Sequence, residues 1–137
     1  MGRPFARRSA TISTKVLIAD DDALLRAVLE HKLTAAGYLV RCAEDGGAAH
    51  AAVEEGWPDL VVLDAMMPVM DGFEVLRRLK QTPAMRDIPV VMLTALKRDQ
   101  DVLSALQIGA SDYLSKPFNP DELVARLARL VPLANAR

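Results

Sequence analysis

Short apolar runs recur along this chain, and each stops at a polar or charged residue. Lys15 to Ala19 (KVLIA) is followed at once by Asp20-Asp21-Asp22. Leu60 to Leu63 ends at Asp64, Ile88 to Leu93 ends at Thr94, and Asp112 to Ser115 ends at Lys116-Pro117. Runs this short, bounded by turn residues and rich in β-branched side chains, read as strands, the Leu60 run as one buried on both faces. Tyr38 to Cys42 reads as a further strand.

Between these runs the apolar spacing becomes helical. Leu25, Val28, Leu29 and Leu33 share one face of a helix that begins at Ala23, and Gly37 fits the position just past its end. Asp45 can cap an Ala-rich helix over Gly46 to Glu55, which Gly56-Trp57-Pro58 stops. After Asp64, Met66-Met67-Pro68 breaks regular structure and Asp71-Gly72 marks a turn. Helices are then predicted from Gly72 to Lys80 and from Arg98 to Ile108, the latter ended by Gly109. Asn119-Pro120 supplies a cap and a first-turn proline for a last helix burying Leu123, Leu127, Leu130, Val124 and Val131.

Strand and helix alternate five times. That order specifies a parallel sheet with right-handed crossovers and helices on both faces. Pattern alone leaves the strand order open. The 137 residues suit one domain, and with 51% hydrophobic but only 4% aromatic residues the core must be aliphatic. Residues 1–14 carry Arg3, Arg7 and Arg8 and no acid, and read as a basic, disordered tail. The folded unit is expected over 15–131, with a short tail at 132–137. The net charge of −1 becomes −4 without those three arginines, so the body predicts no attraction to nucleic acid or membrane surface. No apolar run approaches the ~18 residues of a membrane span. A lone cysteine, Cys42, excludes an internal disulfide and suits a reducing cytoplasm; it reads as filler in a strand, in the core or near the surface.

Charge patterning becomes chemistry once the sheet is parallel, because the carboxyl ends of all strands then share one edge. Asp20, Asp21, Asp64, Thr94 and Lys116 would converge there, in the crevice where open α/β sheets bind ligands. Each residue alone has an ordinary explanation: Asp22 as a helix cap, Thr94 as strand-end filler, Lys116 as surface charge. Four strand ends each bearing a needed group is a joint event. Clustered carboxylates repel one another and stay ionised when a divalent cation sits among them; hard oxygen ligands suit Mg²⁺. A carboxylate beside such a cation can attack a phosphoryl group, whose charge an ammonium and a hydroxyl would help neutralise.

The segments VLIADDD, LVVLDAMMPVMDG, PVVMLTA and GASDYLSKPF resemble the receiver domain of two-component response regulators. The spacings fit as well, with 30 residues from Asp64 to Thr94 and 22 from Thr94 to Lys116. The resemblance covers about Lys15 to Val131. It implies a flavodoxin-like (βα)5 fold with strand order 2-1-3-4-5, and a phosphoacceptor switch rather than an enzyme with turnover. It implies Asp64 as phosphoacceptor, with Asp21, Asp64 and the backbone carbonyl of Met66 as Mg²⁺ ligands and Asp20 holding the ion through water. Lys116 would bridge to the phosphoryl group, next to a cis peptide to Pro117. Thr94 and Tyr113 would form the switch, and Ala95 would leave access to the site. The donor would be a phosphohistidine on a sensor kinase or phosphotransfer protein, or a small acyl phosphate. Output would pass through the fourth helix, fifth strand and fifth helix, where Asp101, Asp112, Glu122 and Arg126 lie, to a partner or to a phosphorylation-linked homodimer.

Two alternatives belong to other classes. A phosphohydrolase with an aspartyl nucleophile would need a second acid two residues past Asp64, where Met66 stands. A flavin or nucleotide module would need a glycine- or hydroxyl-rich loop after the first strand, where three aspartates stand instead. Among receivers, the chain reads equally as a stand-alone regulator or as the receiver of a longer DNA-binding regulator. Met66 and Leu96, two residues past Asp64 and Thr94, are both apolar, which predicts a long-lived phosphoryl group.

Overall fold

A computed structural model describes residues 13–95 and 98–131. The expected tails, apart from Ser13 and Thr14, fall outside these residues, as does Leu96. The order is β1 (Lys15–Ala19), α1 (Ala23–Ala35), β2 (Leu39–Ala43), α2 (Gly46–Glu54), β3 (Leu60–Asp64), α3 (Gly72–Gln81), β4 (Val90–Thr94), α4 (Asp99–Ile108), β5 (Asp112–Ser115) and α5 (Pro120–Leu130). The strands form one parallel sheet in the order β2-β1-β3-β4-β5.

Side-chain alternation divides the sheet into two cores. Leu17, Ala19, Val61, Leu63, Val90 and Met92 face the layer that buries Ala49, Ala52 and Val53 of α2, Val75, Leu76 and Leu79 of α3, and Ala105 of α4. Val16, Ile18, Leu60, Val62, Val91, Leu93 and Leu114 face α1 and α5, which bury Leu29, Leu33, Leu123 and Leu127. Every residue of β3 and β4 is buried. The doubly wound architecture expected from the β-α alternation is therefore the observed one.

The caps follow local chemistry. Asp22 accepts from the amides of Leu24 and Leu25, so it is the helix cap anticipated for it. Asp45 caps α2 through Ala48 N–H, Asp71 caps α3 through Glu74 N–H, and Asn119 caps α5 ahead of Pro120. At the end of α1, Gly37 takes φ +106°, and its amide and that of Tyr38 return to Thr34 and Leu33. This is the Schellman arrangement, and glycine is there because the left-handed backbone requires it.

Differences from expectation are local. Val28 lies 39% exposed rather than in the core, because α5 covers the Leu29–Leu33 side of α1. The strand predicted from Ile88 starts at Val90, because Pro89 has no amide for the ladder. Tyr38 is buried ahead of β2 rather than within it. Cys42 is exposed, on an edge strand, with Sγ 3.8 Å from Glu30. Partial desolvation of the sulfur and the neighbouring Glu30 charge push its thiol pKa up, which disfavours the thiolate. The sheet's hydrogen bonding also begins one residue early: Thr14 is buried and its carbonyl accepts from Leu39 N–H.

Truncating Leu63, which is fully buried directly beneath the strand end at Asp64, is expected to cost about 2–5 kcal/mol of stability as Leu63→Ala. Leu103→Ala, at a position 57% exposed, is expected to change stability by only about 0.5 kcal/mol. Urea denaturation of both variants checks the pair.

Candidate functional site

Four strand ends, those of β1, β3, β4 and β5, meet at the carboxyl edge of the sheet. β1 lies between β2 and β3, so chain direction out of the sheet reverses there, and the crevice opens between the ends of β1 and β3. Asp20 follows β1 and is fully buried. Its amide donates to Ala43 O, its carbonyl accepts from Arg26 at 2.7 Å, and its Oδ1 accepts from Asp22 N–H at 2.9 Å. The remaining oxygen, Oδ2, lies 2.8 Å from Lys116 Nζ as an ion pair, yet lacks a directed hydrogen bond. Asp64 ends β3 and is almost wholly buried, with Oδ1 accepting from Met66 N–H at 3.3 Å and Oδ2 3.5 Å from Lys116 Nζ. Asp21 is exposed at the rim. One oxygen from each of Asp20, Asp21 and Asp64 lies within 4.8 Å of the others.

The charges do not balance. Two buried carboxylates face the Lys116 ammonium. The Asp64 carboxyl is pushed up to about 6, first by burial and then by the charge on Asp20, against the pull of Lys116 and of Met66 N–H. Burial works against the Lys116 ammonium, but the two carboxylates outweigh it and its pKa rises. A divalent cation fits this donor set: hard oxygens only, one of them buried without a hydrogen bond, and a surplus of negative charge. The Lys116-Pro117 peptide is cis, as the motif implied.

Thr94 is fully buried at the end of β4, and its carbonyl accepts from Lys116 N–H at 2.8 Å, which ties the ends of β4 and β5 together. Ala95 beside it is exposed. The hydroxyl of Tyr113 on β5 shares a hydrogen bond with the Thr94 side chain. Burial raises the Tyr113 pKa, with a further push from Asp101. The residues picked from the strand ends are thus brought to one crevice, and Tyr113 joins them through Thr94. A cavity of about 370 Å³ adjoins Lys116, lined by Asp22, Leu25, Ala95, Pro117 and Phe118. Neither Leu25, at helical spacing in α1, nor Phe118, in the β5–α5 connection, is marked as a site residue by the sequence, because an apolar side chain reads first as core.

Ionisation of Asp64 has a calculable cost. Its folded-state pKa, about 6, lies above the ordinary 3.8. The stability linked to its protonated form is therefore complete below pH 3.8 and lost as pH rises through about 6. In EDTA, Asp64→Asn is expected to be more stable than wild type at pH 8, by roughly 1–3 kcal/mol at about 1.4 kcal/mol per pKa unit. Below pH 3.8 the two proteins converge. Urea midpoints across pH test both the sign and the window.

Comparison with known proteins agrees with this geometry. The model of the response regulator receiver domain family matches residues 16–128. The phosphate regulon transcriptional regulatory protein PhoB of Pseudomonas aeruginosa is 43% identical over 116 residues, which cover 85% of this chain and 51% of that protein. The chain spans about half the length of such curated relatives. Among solved structures, a Francisella response regulator receiver domain superposes with a TM-score of 0.81 at 35% identity, covering 86% of this chain and 96% of that one. The receiver domain of a Pseudomonas aeruginosa sensor histidine kinase, with a magnesium ion coordinated in its active site cleft, does so with 0.78 at 32% identity, covering 86% and 97%. No helix among the described residues is long and apolar enough to cross a membrane. With five parallel strands in the order 2-1-3-4-5 and an acidic pocket at Asp20, Asp21 and Asp64, the chain belongs to the response regulator receiver domain family of two-component signalling, and is a phosphoacceptor switch rather than an enzyme.

Proposed function

We propose that Asp64 is the phosphoacceptor and that the crevice around it takes a phosphoryl group from a phosphohistidine on a sensor kinase or phosphotransfer protein, or from a small acyl phosphate. The observation that carries this reading is the position of Asp64. It ends the strand beside the crossover point, 3.5 Å from the Lys116 ammonium. An oxygen of Asp64 attacks phosphorus, the P–O bond to the carboxylate forms, and the bond to the donor nitrogen or oxygen breaks. The bonding pair leaves with the donor.

Mg²⁺ is the cation this donor set favours, held by Asp21, Asp64 and the Met66 carbonyl, with Asp20 acting through water. When bound, it would neutralise the surplus carboxylate charge and the oxygens of the transferring group. Lys116 already pairs with Asp20 and Asp64 and is placed to follow the new charge onto the phosphoryl oxygens. Thr94 offers its hydroxyl to the same oxygens. In doing so it would exchange its contact with Tyr113, and this is how the site would report to β5 and the adjoining helices.

That outer face carries a built charge network. Arg126 of α5 donates to both oxygens of Asp112 on β5, at 2.8 and 2.9 Å, and to Glu122 at 2.8 Å. Leu103 and Leu106 of α4 are exposed. These features support an output surface made by α4, β5 and α5, used for partner binding or for phosphorylation-linked pairing of two copies. A cytoplasmic setting fits a receiver and the single exposed thiol. The relatives' greater length supports reading the chain as the receiver portion of a longer regulator.

With acetyl phosphate in Mg²⁺, wild type is expected to gain the mass of one phosphoryl group, and Asp64→Asn or an EDTA control none. Lys116→Met is expected to slow the gain by at least about tenfold, in the range that loss of a charge-stabilising donor costs. Absence of any gain by wild type would refute the assignment. Once phosphorylated, the protein is expected to lose phosphate slowly, since Met66 is apolar and 58% exposed. Met66→Asn/Leu96→Glu should speed that loss, read as phosphate release over time.

A further inference from the structure

The loop after Asp64 reverses direction within three residues. Met70 N–H donates to the Pro68 carbonyl at 2.8 Å, across Val69 with φ +71°. This is a γ-turn of the rare positive-φ form. A β-branched residue is poorly suited to that backbone. Val69 is 82% exposed, so no burial of its side chain explains why the turn persists.

What holds the turn is the start of α2. Gly46 N–H, free of any intrahelical partner at the first helical position, donates to the same Pro68 carbonyl at 3.3 Å. A Cβ on Gly46 would fall 1.7 Å from the Met70 carbonyl oxygen, so the two backbones lie flush and only glycine fits. A Cβ on Gly47 would come within 3.1 Å of Val69 Cγ1. Met67 and Met70 also rest on the core beneath, but such flexible side chains fix the loop's depth better than its backbone orientation. The other end of the loop is tied to the site itself: Met66 N–H donates to Asp64 Oδ1, and Gly72 N–H to Ala65 O at 2.9 Å.

We propose that Gly46 and Gly47 are positioning residues for the cation site: they seat the strained γ-turn and so set the direction of the Met66 carbonyl two residues before it. This rests on the reading of Asp64 and Met66 given above. The glycines lie on a different element from every other site residue, Gly46 against the loop's backbone and Gly47 against the Val69 side chain.

The test is the Mg²⁺ dissociation constant, measured by calorimetry without any phosphodonor. Gly46→Ala must displace the loop and is expected to weaken Mg²⁺ binding by about tenfold or more, the equivalent of roughly 1.4 kcal/mol. Gly47→Ala meets only side chains, Val69 Cγ1 at 3.1 Å and the cap oxygen of Asp45 at 3.3 Å, and should weaken it by a few-fold; Gly47→Ala/Val69→Gly should restore it by removing the contact with the loop. Gly56→Ala is the control: at φ +74° with open space around it, it strains the fold away from the site. It should lower Tm and leave Mg²⁺ binding unchanged. Wild-type affinity in Gly46→Ala and Gly47→Ala, or no recovery in the double variant, would overturn the proposal while the phosphoacceptor reading stands. Should Gly46→Ala fail to fold, the Gly47 pair decides. A wild type that binds no Mg²⁺ would overturn both.

Discussion

Two buried carboxylates held apart by a single ammonium are the constraint around which this structure is arranged. Asp20 and Asp64 lie at adjacent strand ends, and Lys116 contacts both, at 2.8 and 3.5 Å. A globular core ordinarily excludes such a group, because an uncompensated buried charge is costly. Here the compensation is only partial. One Asp20 oxygen is held by a backbone amide and the other only by the charge of Lys116, and Asp64 is left with a raised pKa. That residual cost is what a cation, and then a phosphoryl group, would relieve.

The surroundings convert this local imbalance into something the whole domain feels. The sheet beneath is rigid because β3 and β4 are buried along their whole length, so the strand ends cannot spread to dilute the repulsion. Adjustment is left to the loops. On one side, the β3–α3 loop is closed by a strained turn against α2. On the other, Thr94 holds Lys116 through its carbonyl and Tyr113 through its side chain. A change in what Thr94 bonds to therefore reaches β5, and Asp112 on the same strand is already paired with Arg126 of α5. Strain and partial compensation sit where a two-state element needs them.

Much of this is legible in the order of residues. Strand and helix types follow from apolar periodicity, and the capping residues Asp22, Asp45 and Asn119 act as their positions suggest. The convergence of Asp20, Asp64, Thr94 and Lys116 needs only the rule that parallel strands share one carboxyl edge. What misleads is local: Val28 fits the helical stripe of α1 yet stays exposed, because which side of a stripe is covered depends on where α5 packs. Leu25 and Phe118 line a cavity beside Lys116, and nothing in their spacing separates a cavity wall from a core.

Residue order sets the alternation of elements, the caps, the chemistry available at each strand end and, through its motifs, the family. These depend on residue type and on periods of two and 3.6 residues, which are local properties. Packing in three dimensions sets what depends on distance between elements. It sets which Asp20 oxygen lacks a hydrogen bond, how far Lys116 stands from Asp64, and that Gly46 and Gly47 lie against the γ-turn at Val69. Gly46 stands 18 residues before Asp64 along the chain and looks like an ordinary helix start. Its contact with the loop exists because α2 crosses from β2 to β3 over the same face of the sheet, and no linear pattern encodes that approach.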